Sequence, residues 1–527
     1  MNLHFSCPYP SQRAPVMACN VVATSQPLAA QAGLNILREG GNAVDAAIAT
    51  AIALTVVEPN MNGIGSDAFA IVWDGDELHG LNASGRSPAA WTPERFAGLD
   101  RMPRLGWDTV TVPGAVSAWV ALSERFGKLA FPRLFEAAID YAENGYPLGP
   151  ITGQLWQRAA PGFADFDGFC DTFLSGGTAP AIGSLVRLPD HGATLREIAT
   201  SRGESFYRGR LAEAIVEDAG RLGGAMARSD LESHKANWVT PITQQFGNVH
   251  LAEIPPSGQG LMALIAVGIL ERLDINRFPL DSIDSVHLQI EAMRCAYAEI
   301  ERHLADIDHM RIAPADLLAP DYLRAKADAI GIGRANPAPS ALPTNPDTVY
   351  LTAADDSGMM VSMIQSNYMG FGSGIVVPGT GISLQNRGCG FTLEAGHPNQ
   401  VGPGKRPYHT IIPGFVTEDG KPRMSFGVMG GHMQAQGHAQ MMVRIFGHSQ
   451  NPQAASDAPR WQLMEDGRVA LEVGFDADVA GQLADRGHHL ELDVPPLHFG
   501  GAQLILRLDE CYCAGSDHRK EGLALGF

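Results

Sequence analysis

The peptide bond between Asp347 and Thr348 joins the two residues of this chain with the most promising chemistry. A run with prolines at 337, 339, 343 and 346 precedes it; such a run lacks amide donors and cannot enter a sheet interior. Thr348-Val349-Tyr350-Leu351-Thr352 then reads as a strand, Asp355-Asp356-Ser357-Gly358 as a turn, and Met359 to Ser366 as the returning strand. Thr348 is therefore expected at the first position of a hairpin, opposite Gln365–Ser366, just after an extended loop. Its hydroxyl is either an ordinary strand side chain or a nucleophile released when its own peptide bond breaks.

Gly430-Gly431 stands between the strand pattern Met424–Val428 and a helix running from about Gln434 to Phe446. Adjacent glycines let two backbone amides point at one small anion, assisted by the helix dipole; a tight strand-to-helix turn would use the same residues. Arg86, in the small-residue loop Ala83-Ser84-Gly85-Arg86-Ser87-Pro88, is placed either to clamp a carboxylate in a bidentate fork or simply to face water. His409, His432 and His438 have no Asp, Glu or Cys at ligand spacing, so no metal is expected. The glycines at 372, 374, 379 and 381 bracket a strand-like Ile375-Val376-Val377-Pro378 with no helix after it, so no nucleotide cofactor is expected. GxSxG, P-loop and HExxH motifs are absent.

These residues need elements to hold them. Val21–Thr24 reads as a strand, and Ser25 opens a helix that stops at Gly40-Gly41. Asn42 caps a helix from Ala43 to Val57 that is apolar nearly all round and must be buried. A glycine-containing loop, Asn62 to Asp67, leads into a strand from Ala68 to Trp73. Helices are expected at Ala115–Phe126, at Phe131–Asn144, up to about Arg272 and from Ser282 to about Ile307; the stretch from Pro147 to Trp238 reads as mostly helical. After Thr348 strand patterns recur at Ile411–Val416, Met424–Val428, Val469–Glu472 and Ala502–Leu508. A helical first two thirds and a strand-rich last third read as one layered fold built from both parts.

Composition narrows the function. Of 527 residues, 45% are hydrophobic and 18% charged, enough for a large core and against global disorder. A formal charge of −19 disfavours nucleic acid and anionic membrane as partners. No membrane-length apolar run is visible, and Met1–Pro15 lacks the pattern of a secretory signal. The seven scattered cysteines read as reduced thiols, which points to a cytoplasmic protein.

Eight stretches in order carry a resemblance: Leu37-Arg38-Glu39-Gly40-Gly41-Asn42-Ala43-Val44-Asp45-Ala46-Ala47, Val57-Glu58-Pro59, Gly63-Ile64-Gly65, Val112-Pro113-Gly114-Ala115, Asp347-Thr348, Phe371-Gly372-Ser373-Gly374, Gly404-Lys405-Arg406-Pro407 and Gly430-Gly431. From about Val21 to Asp517 the chain resembles the γ-glutamyltranspeptidase family of N-terminal-nucleophile hydrolases. The resemblance implies an α+β fold, the four-layer αββα sandwich, and no cofactor. It implies a precursor that cuts itself at Asp347–Thr348 into a large subunit, 1–347, and a small one, 348–527. Thr348 would be the nucleophile, and its freed α-amine the base. Ser366 falls where the family carries a hydroxyl that bonds the nucleophile, and Gly430 and Gly431 match its oxyanion-hole glycines.

The departures point to the substrate. Where transpeptidases bind the glutamyl α-amine with Asn, Glu or Gln, and Asp, this chain has Tyr368, Arg387 and Gly390. Where they place two serines on the α-carboxylate, it has His409 and Thr410, and Arg86 is nearest to the carboxylate-binding Arg. An acyl group with a carboxylate but no ammonium suits this better. The subgroup resembled is the oxamate amidohydrolase and transpeptidase-like acylases. The expected partner is a small acidic amide, and the processed heterodimers could pair into a homodimer. A γ-glutamyltransferase or glutathione hydrolase, a cephalosporin-acylase-like enzyme and an uncleaved binding protein are the alternatives.

Overall fold

The computed structural model describes residues 13–336 and 347–527. The proline-rich run at 337–346, Cys7 and the first 12 residues, where a secretory signal was sought, lie outside the described residues. Fourteen strands build two antiparallel seven-stranded sheets. From the first part of the chain come β1 (Val16–Ala18), β2 (Val21–Thr24), β3 (Asp67–Trp73), β4 (Leu78–Asn82), β5 (Asn237–Val239), β6 (Ile242–Phe246) and β7 (Val249–Glu253). After them come β8 (Asp347–Ala354), β9 (Met360–Tyr368), β10 (Gly414–Glu418), β11 (Lys421–Met429), β12 (Gly501–Arg507), β13 (Tyr512–Ser516) and β14 (Leu523–Gly526). One sheet runs β14-β2-β8-β9-β3-β4-β5 and the other β1-β13-β12-β11-β10-β7-β6.

Strand periodicity decides which face goes where. Along β8, Val349, Leu351 and Ala353 point one way and Tyr350 and Ala354 the other. The second set joins Phe69, Ile364, Phe415 and Ile505 in a core between the sheets. The first set packs under helices α1 (Pro27–Arg38), α2 (Ala43–Val57) and α3 (Ala115–Phe126). Helices α4 (Gly260–Arg272), α5 (Ile283–His303) and α6 (Met433–Met442) cover the other sheet through Leu264, Met293, Phe426 and Leu504. The result is the expected four-layer αββα sandwich.

α2 shows how composition becomes position. All 15 of its residues are buried, as an all-round apolar helix requires. Its start is fixed by a capping box between Asn42 and Asp45, and buried Asp45 also accepts from the Lys128 and Leu129 amides.

Some expected elements shift. The stretch expected as helix from Phe131 opens with a 3-10 turn, Phe131–Phe135, before the α-helix begins at Glu136. The strand expected from Ile411 begins at Gly414, for Pro413 interrupts the pairing. β5 to β7 form a strand cluster at 237–253 that the helical pattern around it concealed. The six described cysteines are free, and no helix among the described residues is long and apolar enough to cross a membrane.

The inter-sheet space is tight at Gly427, where an added Cβ would stand 2.4 Å from ring carbons of Tyr350. Gly427→Ala is expected to destabilise the chain by about 1–3 kcal/mol through overpacking. Gly220→Ala, where a Cβ meets nothing within 4 Å, should not. Urea midpoints of the two variants against wild type check this.

Candidate active site

At Thr348 the hairpin leaves plain register. Asp347 faces Tyr368 and Val349 faces Gln365, so Thr348 stands against both Ser366 and Asn367. The extra residue on β9 is a bulge. It moves Thr348 one residue along from the Gln365–Ser366 position that the turn alone predicts. Tyr368 closes the bulge with φ at +80°, a conformation that costs a non-glycine residue energy. Ser366 Oγ accepts from the Tyr368 amide at 2.8 Å and lies 3.1 Å from Thr348 Oγ1. On its other flank Ser366 pairs with Asp67 of β3. A single row across three strands thus carries Thr348, Ser366 and Asp67, all buried.

Gly430 and Gly431 make the turn from β11 towards α6, with φ of +116° and +56°. A Cβ on Gly430 would stand 2.8 Å from Gly500 Cα, so backbone approaches backbone there. Gly430 and Thr348 line one cavity. Gln434, in the first turn of α6, reaches Thr348 Oγ1 at 3.5 Å while its Oε1 accepts from the Ile412 amide at 3.0 Å. Gln259 donates to the Gly431 carbonyl at 2.7 Å and to the Thr410 carbonyl, which fixes the peptide after Gly431. Its Oε1 accepts from the Tyr408 hydroxyl at 3.0 Å, and that hydroxyl lies 3.1 Å from His432 Nδ1.

Next to the bulge sits a buried charge cluster. The Arg387 guanidinium lies 4.1 Å from the Tyr368 ring centroid, stacked on it, and Nη1 donates to Thr410 Oγ1 at 2.9 Å. Asp67 Oδ2 is 3.7 Å from Arg387 Nε and 3.0 Å from His409 Nε2; Asp67 Oδ1 accepts from the Gly85 amide at 3.2 Å. His409 Nδ1 accepts from the Ile411 amide at 3.4 Å, so Nε2 carries the proton that Asp67 accepts. Burial, with help from Arg387, drives the His409 pKa well below its usual value, so the ring is neutral. Burial likewise lifts Asp67 to about 7 against the pull of Arg387, and lowers Arg387 to about 10. Arg387 Nε and Nη2, the Tyr368 hydroxyl and His432 Nε2 are buried without a hydrogen-bond partner among the described residues. Such orphaned polar atoms are rare in a folded interior.

A model of the γ-glutamyltranspeptidase family matches residues 29–527. The chain belongs to that family. It is an enzyme with the N-terminal-nucleophile hydrolase fold. The oxamate amidohydrolase proenzyme of Klebsiella pneumoniae is 35% identical over 516 residues, 95% of this chain and 97% of that protein. The glutathione hydrolase-like YwrD proenzyme of Bacillus subtilis is 33% identical over 517 residues, 96% and 98% of the two chains. A crystal structure of cephalosporin acylase from Bacillus halodurans superposes with a TM-score of 0.95 at 45% identity, covering 100% of this chain and 99% of that one. The name proenzyme fits a precursor that is cut into two subunits.

Within this family member, Thr348, Ser366, Tyr368, Arg387, His409 and Thr410 are linked by the contacts above. Arg86 stands apart from that cluster. It is 39% exposed, and Nη1 donates to Asp306 at 2.9 Å and to the Gly404 carbonyl at 3.0 Å. Those contacts tie Arg86 to Asp306 and to the loop at Gly404, away from the buried cluster. Among the described residues no group of three or more His, Cys, Asp or Glu side chains is arranged to hold a metal. Sequence reading missed Asp67 and Gln259. Their only signals were an acid closing the Asn62–Asp67 loop and a Gln between Gly258 and Gly260.

The raised pKa of Asp67 sets a pH dependence. The folded chain holds this proton more tightly than the unfolded one, whose ordinary value is 3.8. The stability it confers is present below 3.8 and lost as pH rises through about 7. Asp67→Asn, which keeps a neutral acceptor, should gain in melting temperature relative to wild type as pH rises from about 4 to about 8. A constant difference across that range would contradict this assignment.

Proposed function

We propose that this chain is a self-processing amidohydrolase whose nucleophile is Thr348 and whose substrate is a small amide with a carboxylate on its acyl half and no ammonium, such as oxamate. One observation carries the substrate reading. Arg387 is fully buried beside the bulge, and Nε and Nη2 have no hydrogen-bond partner among the described residues. A buried cation with unmade hydrogen bonds is costly, and a planar carboxylate is the group that its fork pairs bidentately. A substrate ammonium there would meet a like charge. Gly390, where the acidic ammonium ligand would stand, admits no side chain: a Cβ would lie 2.4 Å from the Tyr408 carbonyl oxygen.

Processing comes first in this scheme. The Thr348 hydroxyl attacks the Asp347 carbonyl, and an N→O shift converts that peptide bond to an ester. Water opens the ester and leaves chains 1–347 and 348–527. The freed α-amine, with a pKa near 8, then takes the Oγ1 proton, so nucleophile and base are one residue. Ser366 Oγ steadies Oγ1 during both reactions. The substrate carbonyl carbon bonds to Oγ1, and the oxyanion is met by amides of Gly430 and Gly431. The amine departs with the proton, and water releases the acid from the acyl-threonine. Arg387 and Thr410 hold the acyl carboxylate, and the Tyr368 hydroxyl adds a donor.

A glutathione hydrolase or a cephalosporin-acylase-like enzyme would keep the same nucleophile and differ only in the acyl pocket. An uncleaved binding protein would keep neither reaction. Purified wild type should run as two bands on a denaturing gel, the smaller beginning at Thr348, and Thr348→Ala as one. Oxamate should be hydrolysed with a higher kcat/KM than glutathione. Arg387→Lys, which keeps charge and loses the fork, should raise KM for oxamate about tenfold or more. An active, uncut wild type removes the nucleophile assignment; glutathione as the better substrate removes the acyl-pocket assignment.

A further inference from the structure

The short strand β1 runs antiparallel to β13, with Val16 opposite Ala514, Met17 opposite Cys513 and Ala18 opposite Tyr512. One step further, the same register sets Cys19 opposite Cys511. Ala18, Tyr512 and Ala514 belong to the core between the sheets. Alternation therefore turns Met17, Cys19, Cys511 and Cys513 to the outer face of this corner. Four sulfur side chains share that patch, two from the first part of the chain and two from the last. Cys19 is exposed, Cys511 half-buried and Cys513 buried.

Backbone hydrogen bonds identify the kind of pair that Cys19 and Cys511 make. The Cys19 amide donates to the Phe527 carbonyl at 3.0 Å, not across the ladder to Cys511. The Cys511 carbonyl accepts from the Leu508 amide at 2.8 Å, on the β12 side of its strand. Backbones turned away from each other mark the non-hydrogen-bonded site of an antiparallel ladder. There the Cα atoms stand about 4.5 Å apart and the side chains come closest. A disulfide spans Cα separations of about 4.4–6.8 Å. Cys19 Sγ lies at the hairpin turn, 3.9 Å from the Glu510 carbonyl oxygen. Cys513 is diagonal to Cys19 and two residues along one strand from Cys511. Its Cα is roughly 7 Å from either, at the far limit for a bridge.

We propose that Cys19 and Cys511 are a redox-modification site, closed by a small disulfide into a cross-strand bond. The thiolate of exposed Cys19 attacks one sulfur of the reagent, and a mixed disulfide forms as the first small thiol leaves. The Cys511 thiolate then attacks Cys19 Sγ, and the second small thiol leaves. The protein gives up two hydrogens with their electrons, and the small disulfide is reduced to two thiols. Free thiols are the state of a reducing compartment; an oxidising one closes the pair. Cys19 lies in 1–347 and Cys511 in 348–527. On the reading that Thr348 is released by self-cleavage, the bond ties the two subunits covalently, and dilution no longer separates them.

The test uses bis(2-hydroxyethyl) disulfide, which carries no amide for the enzyme to cut. Purified wild type is incubated with it, alkylated, and run on denaturing gels with and without reductant. Processed protein should migrate as one band at the position of the uncut chain without reductant, and as two bands with it. Digestion should release one peptide pair joined through Cys19 and Cys511, lighter by two hydrogens than the separate thiol peptides. Cys19→Ser and Cys511→Ser should each abolish the link, and Cys513→Ala should keep it. Two separate subunits carrying only mixed disulfides, or a link that survives Cys19→Ser or Cys511→Ser, overturns the inference. A chain that stays single even with reductant removes the self-cleavage reading instead. The joined peptide then decides this proposal by itself: its presence supports the site and its absence overturns it.

Discussion

The site depends on one backbone irregularity, the bulge where Thr348 meets two residues of β9. In plain register Thr348 would face a single residue, and successive side chains of β9 would alternate between the two faces of the sheet. The extra residue lets Ser366 serve two directions. Its Oγ reaches Thr348, and its backbone pairs with Asp67 on the next strand. The left-handed Tyr368 that ends the bulge turns its ring under Arg387. Strain of roughly 1–3 kcal/mol at such a residue persists only where the surrounding structure fixes it. Here the Ser366 hydroxyl holds the Tyr368 amide, and the sheet pairing of Asp347 with Tyr368 holds the other flank.

The second constraint is electrostatic. Asp67, Arg387 and His409 are each wholly buried, and Asp67 is the acid among them. Its attraction for Arg387 acts across 3.7 Å, too long for a hydrogen bond, while its short contact goes to neutral His409. The guanidinium is therefore attracted but not saturated. Had Asp67 made a bidentate pair with Arg387, the fork would be closed to any ligand. His409 takes one carboxylate oxygen and the Gly85 amide the other, which keeps Arg387 partly unsatisfied. In this arrangement His409 and Arg387 meet the same carboxylate, the histidine at hydrogen-bond distance and the arginine beyond it.

Much of this was legible in the chain, and the reasons differ by element. α2 could be bounded to the residue because an apolar run between Asn42 and Glu58-Pro59 leaves no other solution. The hairpin from Thr348 was legible because alternation and a polar turn agree. The bulge was not, since one inserted residue leaves composition and period almost unchanged. Asp67 was invisible for a related reason: its partners lie 320 and 342 positions away, at Arg387 and His409. The contacts of Arg86 were not legible either, because a loop of small residues says that an arginine can move, not what it meets. Asp306, which holds it, lies far along the chain.

Net charge and site charge point in opposite directions, and distance decides which acts. A chain at −19 repels an anion at long range, so its on-rate gains nothing from steering. Physiological salt screens exposed charges beyond about 8 Å. Once an anion reaches the site, what acts on it is contact with a buried cation such as Arg387. Selectivity for anionic substrates in such a molecule must therefore come from desolvated contact rather than from encounter. Contact of that kind discriminates by shape as well as sign, because a guanidinium fork pairs a planar carboxylate in one orientation. A long-range positive field would attract any anion; short-range contact with a cation favours those that fit.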